Sequence, residues 1–303
     1  MRSTFGSARV AIVSAVFGLN AASANEPCGA DCVGDALSIP DAVSEGTLFR
    51  WWSAPDITGG PDFDEPIVTD RPDFTEASVT VGRNVLQFES GYTFIENDDD
   101  GVRVRTHSLG ELLFRYGAFA DWFELRFGVL PVVESTRDGF GSGTESGVED
   151  LYFGAKLALT PQAGILPEMA IVPQVTVPAG SNHFTADETL PGVNLLYGWD
   201  VNDVLSTGGS TQVNRSVDAG GDYTEWAQSW TVGYALTERV GSYAEWFAFF
   251  PQNADEAQTE HYFNGGFTVL LTDDVQWDLR GGVGLNDAAG DLFCGTGLSM
   301  RFR

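Results

Sequence analysis

Alternation of apolar with polar or small residues, recurring from about residue 84 to the C-terminus, restricts the fold of this chain more than any other feature. In residues 292–302, for example, Leu298 and Met300 alternate with Ser299 and Arg301. A β-strand places successive side chains on opposite faces, so this alternation predicts strands with one apolar and one polar face. A chain built mostly of such segments is expected to be all-β.

The alternation divides the chain into about twelve strands, most of them about ten to fifteen residues long and so able to cross a bilayer at a tilt. The predicted strands are 84–95, 103–116, 122–134, 148–159, 168–179, 190–201, 204–215, 222–236, 240–250, 258–271, 275–286 and 292–302. Short turns alternate with longer acidic loops between them, as in membrane barrels whose short turns face the periplasm. We therefore predict a transmembrane antiparallel up-and-down β-barrel of about twelve strands. Aromatic residues near the predicted strand ends, among them Tyr243 and Phe249, are expected to form the aromatic girdles of such a barrel. The alternative is a soluble β-sandwich that buries the same aromatic residues in its core.

Residues 1–24 have the three parts of a secretory signal peptide. Arg2 and Arg9 provide a positive region, residues 10–19 are apolar, and residues 22–24 form an A-x-A cleavage site. The apolar stretch is too short to span a membrane. We therefore expect an exported protein, and together with the barrel pattern this predicts the cell outer membrane as its location.

Residues 25–83 differ in composition from the barrel region 84–303, because they are rich in proline, glycine and aspartate. They predict a separate N-terminal segment, periplasmic or plug-like. Cys28 and Cys32 lie at its start, where an oxidising compartment would allow them to form a small disulfide loop.

The strongly acidic composition restricts the partners of this protein. The formal net charge is −27, whereas proteins that bind nucleic acid neutralise its phosphates with lysine and arginine. Nucleic acid is therefore not expected as a partner. For an exported barrel we expect contacts with outer-membrane lipid and lipopolysaccharide, with the barrel-assembly machinery, and with a small solute that the sequence does not identify.

Two motifs stand at the start of the barrel region. Residues 67–76 read Ile-Val-Thr-Asp-Arg-Pro-Asp-Phe-Thr-Glu, and residues 82–92 read Gly-Arg-Asn-Val-Leu-Gln-Phe-Glu-Ser-Gly-Tyr. They resemble a family of outer-membrane barrels labelled for the MetA pathway of phenol degradation, and the resemblance extends from about residue 67 to the end. It implies a transporter for small molecules, with aromatic or hydrophobic compounds as candidates.

The charged residues of the first motif are Asp70, Arg71, Asp73 and Glu76. One interpretation places them at the periplasmic mouth of the barrel, paired with inward charges such as Arg280 or Arg301. The other is that the motif merely caps the first strand.

We find no motif that predicts catalysis, a cofactor or a metal site. His107, His183 and His261 lack the spacing of metal ligands. Residues 261–265 keep three positions of the His-x-Ser-Asn-Gly motif of outer-membrane phospholipases, but Phe263 replaces the serine nucleophile. The protein is therefore not expected to be an enzyme, and a lipid hydrolase is the remote alternative.

Polar and charged residues on the inward face of the strands are the candidate functional residues. They are Gln87, Glu89, Glu111, Arg115, Glu124, Arg126, Gln276, Asp278, Arg280, Ser299 and Arg301. Acids and arginines can pair across a narrow lumen and fill it, as in small barrels, or they can line a water-filled path. The first outcome predicts a structural or surface-binding barrel, and the second predicts a passive channel.

Overall fold

The computed structural model describes residues 47–49, 65–99, 101–137 and 141–303. The predicted signal peptide, Cys28, Cys32 and most of residues 25–64 lie outside the described residues. No helix in the described part of the chain is long and apolar enough to cross a membrane.

In the described residues, fourteen strands form one antiparallel sheet. They are β1 (Leu86–Asp99), β2 (Val102–Gly117), β3 (Phe123–Val129), β4 (Pro131–Arg137), β5 (Ser142–Val148), β6 (Leu151–Thr160), β7 (Glu168–Val177), β8 (Leu190–Asp200), β9 (Leu205–Asp218), β10 (Gly221–Thr237), β11 (Val240–Gln252), β12 (Glu260–Thr272), β13 (Val275–Gly284) and β14 (Leu292–Phe302). Each strand after β6 pairs with the next one along the chain.

The sheet closes on itself because β1 pairs with β2 on one side and with β14 on the other. The β1–β14 register runs from Leu86 opposite Phe302 to Glu96 opposite Leu292. Twelve strands form the closed antiparallel ring, which confirms the predicted barrel and strand number. Closure leaves no unpaired backbone edge in the ring, and lipid could not satisfy such an edge.

The region around β3, β4 and β5 differs from the prediction. The predicted strand 122–134 is two elements: β3 pairs with β6, whereas β4 pairs with β5. Strand β5 lies in the predicted loop 135–147, and most of its residues are exposed. Strand β5 lies outside the ring, and its sequence, SGTESGV, has almost no apolar residues. The alternation of apolar and polar residues therefore could not predict it.

The two ends of the barrel have different connections. Residues 118–122, 161–167, 201–204, 238–239 and 273–274 connect the strands at one end, which we call the turn end. The opposite end, which we call the loop end, carries the connections 178–189, 253–259 and 285–291.

Strands β1 and β2 extend further at the loop end than predicted, and replace most of the predicted loop 96–102. Glu96 lies opposite Arg105 across the two strands, and the Glu96 carboxylate accepts a hydrogen bond from Arg105 Nε at 2.5 Å. Asp98 forms a second such ion pair with Arg103. Directly opposed charges of opposite sign stabilise antiparallel pairs.

The outer surface of the ring is apolar. Exposed large side chains on it include Phe114, Leu125, Phe153, Trp230, Phe263, Phe267, Trp277 and Leu279. The inward face instead carries buried charges, the reverse of the usual arrangement in water-soluble proteins. An apolar exterior around a polar interior is typical of a barrel in lipid and does not fit a soluble sandwich.

Candidate functional site

Residues 65–83, which we call the lumen segment, run inside the ring. The Ile67 N–H donates to the Asp273 carbonyl at 2.7 Å, which places this part at the turn end. The segment then rises to Phe74 and returns to the turn end, where Thr80 donates to the Asp121 carbonyl. It therefore enters and leaves at the same end of the barrel before it continues into β1.

The Asp70 carboxylate lies among three cationic side chains of the barrel wall, which we call the cation cluster: Arg115 on β2, Arg126 on β3 and Lys156 on β6. Lys156 Nζ is 2.8 Å from Oδ1 of Asp70, and Arg126 Nη1 is 2.5 Å from Oδ2. Arg115 Nε is 3.3 Å from Oδ2. Burial raises the pKa of Asp70, but the three cations outweigh it and hold this pKa well below its usual range.

Two wall carboxylates hold the two arginines of the cation cluster in place. Glu124 accepts from Arg115 Nε at 2.8 Å and lies 3.2 Å from Arg126 Nη1. Glu89 accepts from Arg115 Nη1 at 3.0 Å. A buried charge is tolerated only when it is paired, and these contacts give both arginines carboxylate partners on the wall. Lys156 instead donates to the Ala77 carbonyl of the lumen segment at 2.7 Å, besides its contact with Asp70.

Arg71 lies in a slot formed by wall glycines. Its guanidinium pairs with Asp278, Nε to Oδ2 at 3.0 Å, and with Glu111. A Cβ added to Gly91 would lie 2.3 Å from Arg71 Cζ, and one added to Gly297 would lie 2.1 Å from Nε. The planar guanidinium therefore rests against bare backbone of β1 and β14, a place that no larger wall residue would leave open.

Three wall glutamates accept backbone N–H groups of the lumen segment: Glu89 from Asp70, Glu124 from Val81, and Glu245 from Phe74 and Thr75. Glu245 receives the Phe74 and Thr75 N–H groups at 2.6 and 2.7 Å and also the amide of Asn264 at 2.7 Å. Hydrogen bonds to a charged acceptor are stronger than those between neutral groups. The backbone of the segment is thus held as firmly as its side chains.

Phe74 packs into an aromatic cluster towards the loop end. Its ring stacks on Phe247 with 4.6 Å between centroids, and it meets Phe249 edge-on at 5.4 Å. Tyr262 stacks on the other side of Phe247 at 4.8 Å. Each aromatic pair contributes about 0.5–1.5 kcal/mol beyond the apolar area that it buries.

Asp73 has a different environment from Asp70. It is buried beside Glu245, and this burial together with the Glu245 charge raises the pKa of Asp73 well above its usual range. The pKa values of the two aspartates of one motif are therefore shifted in opposite directions, because three cations surround Asp70, whereas burial and Glu245 outweigh the single cation Arg280 near Asp73.

The structure gathers the predicted inward residues around the lumen segment. Gln87 donates to the Val68 carbonyl at 2.8 Å, and Gln276 donates to Thr69 Oγ1 at 2.7 Å. Wall residues already described that also contact the segment are Glu89, Glu111, Arg115, Glu124, Arg126 and Asp278. Ser299 is fully buried on the same face. Whether these residues line a conducting path stays a prediction.

Arg280 and Arg301 contact the segment mainly through its backbone. Arg280 Nη1 donates to the Pro72 carbonyl at 2.9 Å, and Arg301 Nη2 donates to the Glu65 carbonyl at 2.8 Å. The ion pairs of Asp70 and Glu76 are instead with the cation cluster, where Arg126 Nη2 lies 3.3 Å from Glu76 Oε2.

Lys156 and Glu245 are site residues that the sequence prediction missed. Both are buried to 1% exposure or less. Lys156 falls on the even-numbered, glycine-bearing face of its strand with Gly154, which is a usable signal. Glu245 was hidden because its inward neighbours are Tyr243 and Phe247, which make that face look apolar.

The incomplete phospholipase motif does not assemble in the structure. His261 lies against Trp246, with 5.9 Å between ring centroids. Asn264 is buried and donates to Glu245 on the inward face. His261 and Asn264 are three positions apart on β12, so their side chains lie on opposite faces of the wall.

Sequence comparison places these features in a family. The family model described as "Putative MetA-pathway of phenol degradation" matches residues 69–302. The chain belongs to this family. The matched region begins within the lumen segment and continues through β14, so the family model includes Asp70 and Arg71 as well as the ring.

Solved structures of other proteins resemble this chain at low sequence identity. The COG4313 outer membrane channel from Pseudomonas putida F1 is 13% identical, with a TM-score of 0.60 over 77% of this chain and 99% of that one. The translocator domain of the autotransporter NalP from Neisseria meningitidis is 11% identical, with a TM-score of 0.47 over 72% and 88%. The likeness to the COG4313 channel shows that the two proteins share the barrel fold. No curated protein is similar enough in sequence to count as a relative.

Proposed function

We propose that this protein is an outer-membrane channel through which small molecules pass passively, and that the lumen segment controls how much of the lumen is open. The observation that carries the proposal is that the ring encloses a separate piece of chain. Small barrels fill their interior with wall side chains, whereas here inward glycines leave room for residues 65–83. If the segment moved out of the lumen, a polar path would run through the barrel, enclosed by a wall whose outer surface is apolar.

The solute class suggested by the family description is aromatic or hydrophobic. The cluster of Phe247, Phe249 and Tyr262 around Phe74 supports this suggestion, because it offers stacking surfaces inside the barrel. The wall charges support a path that also tolerates polar groups.

A structural or surface-binding barrel without transport is the second candidate. Buried ion pairs such as Arg71–Asp278 favour it, because they stiffen the interior and tie the segment to the wall. The two candidates differ in one respect: a channel must conduct once the segment is released.

We expect Arg71→Ala to raise conductance several-fold over the native protein in planar bilayers. The substitution leaves Asp278 as a buried carboxylate without its partner and Glu111 with only Arg280, at 3.7 Å, as a cationic partner. Breaking a buried ion pair in this way costs about 3–5 kcal/mol. The released segment would then open the lumen. Arg103→Ala is the matched control, because Arg103 forms an exposed ion pair with Asp98 at the loop end.

Folding of each variant is checked by the heat-dependent shift in electrophoretic mobility of barrels. Native protein and Arg71→Ala that are both folded but carry no current, and allow no swelling of liposomes in sugars or aromatic solutes, would contradict the channel and favour the structural barrel.

A further inference from the structure

The cation cluster has the properties of a binding site whose present occupant belongs to the chain itself. Its three cations come from three different wall strands, β2, β3 and β6, and converge on one carboxylate, that of Asp70. Lys156 approaches one carboxylate oxygen and Arg126 the other. A carboxylate has two acceptor oxygens, so a site that directs one cation at each oxygen matches it well.

The two arginines of the cluster do not depend on Asp70 for their positions. Glu124 bridges Arg115 and Arg126, and Glu89 holds the far side of Arg115. These wall contacts remain if the lumen segment leaves, so both guanidinium groups stay close to their present positions. Lys156 contacts Asp70 and the Ala77 carbonyl of the segment, and it would be left with a free ammonium group beside the arginines. A site that is already organised loses less free energy when it binds a ligand.

The charge balance of the wall also favours an anion. Arg115, Arg126 and Lys156 face two wall carboxylates, so Asp70 supplies the negative charge that the wall itself lacks. Glu76 of the same segment also pairs with Arg126 at 3.3 Å and lies 4.0 Å from Lys156, so it would leave the cluster together with Asp70. Removal of the segment would therefore leave a net positive patch, accessible from the lumen.

We propose that the cation cluster is a binding site for the carboxylate group of a permeating solute, which competes with Asp70 and so favours displacement of the lumen segment. The inference rests on the proposed channel function and narrows its solutes to those that carry a carboxylate. A ligand shifts such an equilibrium only by its preference for one state. Here the preference is complete, since Asp70 and the solute cannot occupy the cluster together.

The test is chemical rescue of the full-length protein. Asp70→Ala removes the resident carboxylate and leaves the three cations without it, so we expect a lower melting temperature than in the native protein. Acetate, at constant ionic strength, should restore about half or more of the loss in a saturable way. Acetamide, which has the same shape without the charge, and chloride should not.

Two variants control this rescue. Asp73→Ala removes a buried carboxylate of the same segment that lies beside Glu245 and outside the cation cluster, and acetate should not stabilise it. In Asp70→Ala/Lys156→Met one cation of the cluster is also removed, and the rescue should be lost. Equal stabilisation by acetate and acetamide, or equal rescue of Asp73→Ala, would overturn the proposal.

Hydrogen exchange of the native protein decides the question if the Asp70→Ala variant does not fold. Acetate should then speed exchange of the amides of residues 70–77 relative to chloride at the same ionic strength, and unchanged exchange would overturn the proposal. These measurements need no conductance. Rescue without current would remove the channel and keep the site, whereas current without rescue would remove the site and keep the channel.

Discussion

Two residues of the first motif show how strongly position within the barrel decides the behaviour of a side chain. Three cations surround Asp70, whereas Asp73 lies in a buried environment near Glu245 with Arg280 as its cation, although only Arg71 and Pro72 separate the two aspartates. The Asp70 carboxylate therefore attaches the lumen segment through ion pairs, whereas burial favours the neutral form of Asp73.

At Gly297 we expect that a single methyl group is enough to disturb the lumen segment. In Gly297→Ala the added Cβ would lie 2.1 Å from Arg71 Nε, so the guanidinium must leave its slot and weaken its contact with Asp278. We expect a lower melting temperature and a higher conductance in planar bilayers than in the native protein.

Gly281→Ala is the control for Gly297→Ala, because its added Cβ has only a backbone oxygen at 3.8 Å. Both substitutions add the same methyl group to a strand glycine. If the two variants behave alike, the slot does not hold Arg71 as described.

We expect Asp73→Asn to reduce the pH dependence of stability. The folded-state pKa of Asp73 is raised by burial and by Glu245, so its contribution is fully present below the unfolded pKa of about 4 and is lost as pH rises through the folded value. Asparagine cannot ionise and removes this loss. The melting temperature of the variant should therefore fall less between acidic and alkaline pH than that of the native protein.

Glu238→Gln, at an exposed turn position, is the control for Asp73→Asn and should keep the native pH profile. A native-like profile in Asp73→Asn would show that the ionisation of Asp73 does not weaken the segment at high pH.

At the scale of single elements, β4 and β5 have the least support from the ring. Strand β4 pairs with β2 and β5, whereas β5 has β4 as its only partner among the described strands. The hairpin lies at the loop end, and it contributes no residue to the described contacts of the lumen segment.

Shortening this hairpin should leave the barrel folded. Glu134 lies opposite Glu145, so residues 135–144 can be replaced by Asn-Gly, which forms a tight two-residue turn. We expect the heat-dependent mobility shift and the conductance to match those of the native protein. A chain that no longer folds would mean that the hairpin guides closure of the ring.

The strands of the wall could be predicted from the sequence, whereas the direction of several of their side chains could not. Alternation gave the strand number, the inward face and most wall charges, because side-chain parity is a local property of an extended backbone. It missed Glu245 between inward aromatic residues, and it placed Tyr243 and Phe249 in an aromatic girdle, whereas the structure turns both inward. An aromatic residue suits either lipid or an aromatic cluster, so residue type alone could not decide.

At the scale of the whole molecule, the described residues form a closed ring and a segment that is held inside it by hydrogen bonds and ion pairs to the wall. The ring is continuous and hydrogen-bonded throughout, whereas the segment has no strand partner. Parts of a protein with fewer cooperative contacts open at lower free energy.

We therefore expect the segment to open before the ring. The amides of Asp70, Phe74, Thr75 and Val81, all bound to wall glutamates, should exchange with solvent as one group and faster than amides in β9–β14. Hydrogen exchange followed by mass spectrometry measures this order. Exchange of the segment and the strands at one common rate would show instead that they unfold as a single unit.

The sequence by itself determined an all-β barrel of about twelve strands with a polar interior, and it singled out the motif at residues 67–76. Only the tertiary structure decided that this motif lies inside the ring and which charges it meets. The reason is physical: strand parity depends on neighbouring residues, whereas Arg71 and Asp278 are 207 residues apart. They become partners only because β1 closes on β14 and glycines leave a slot between them.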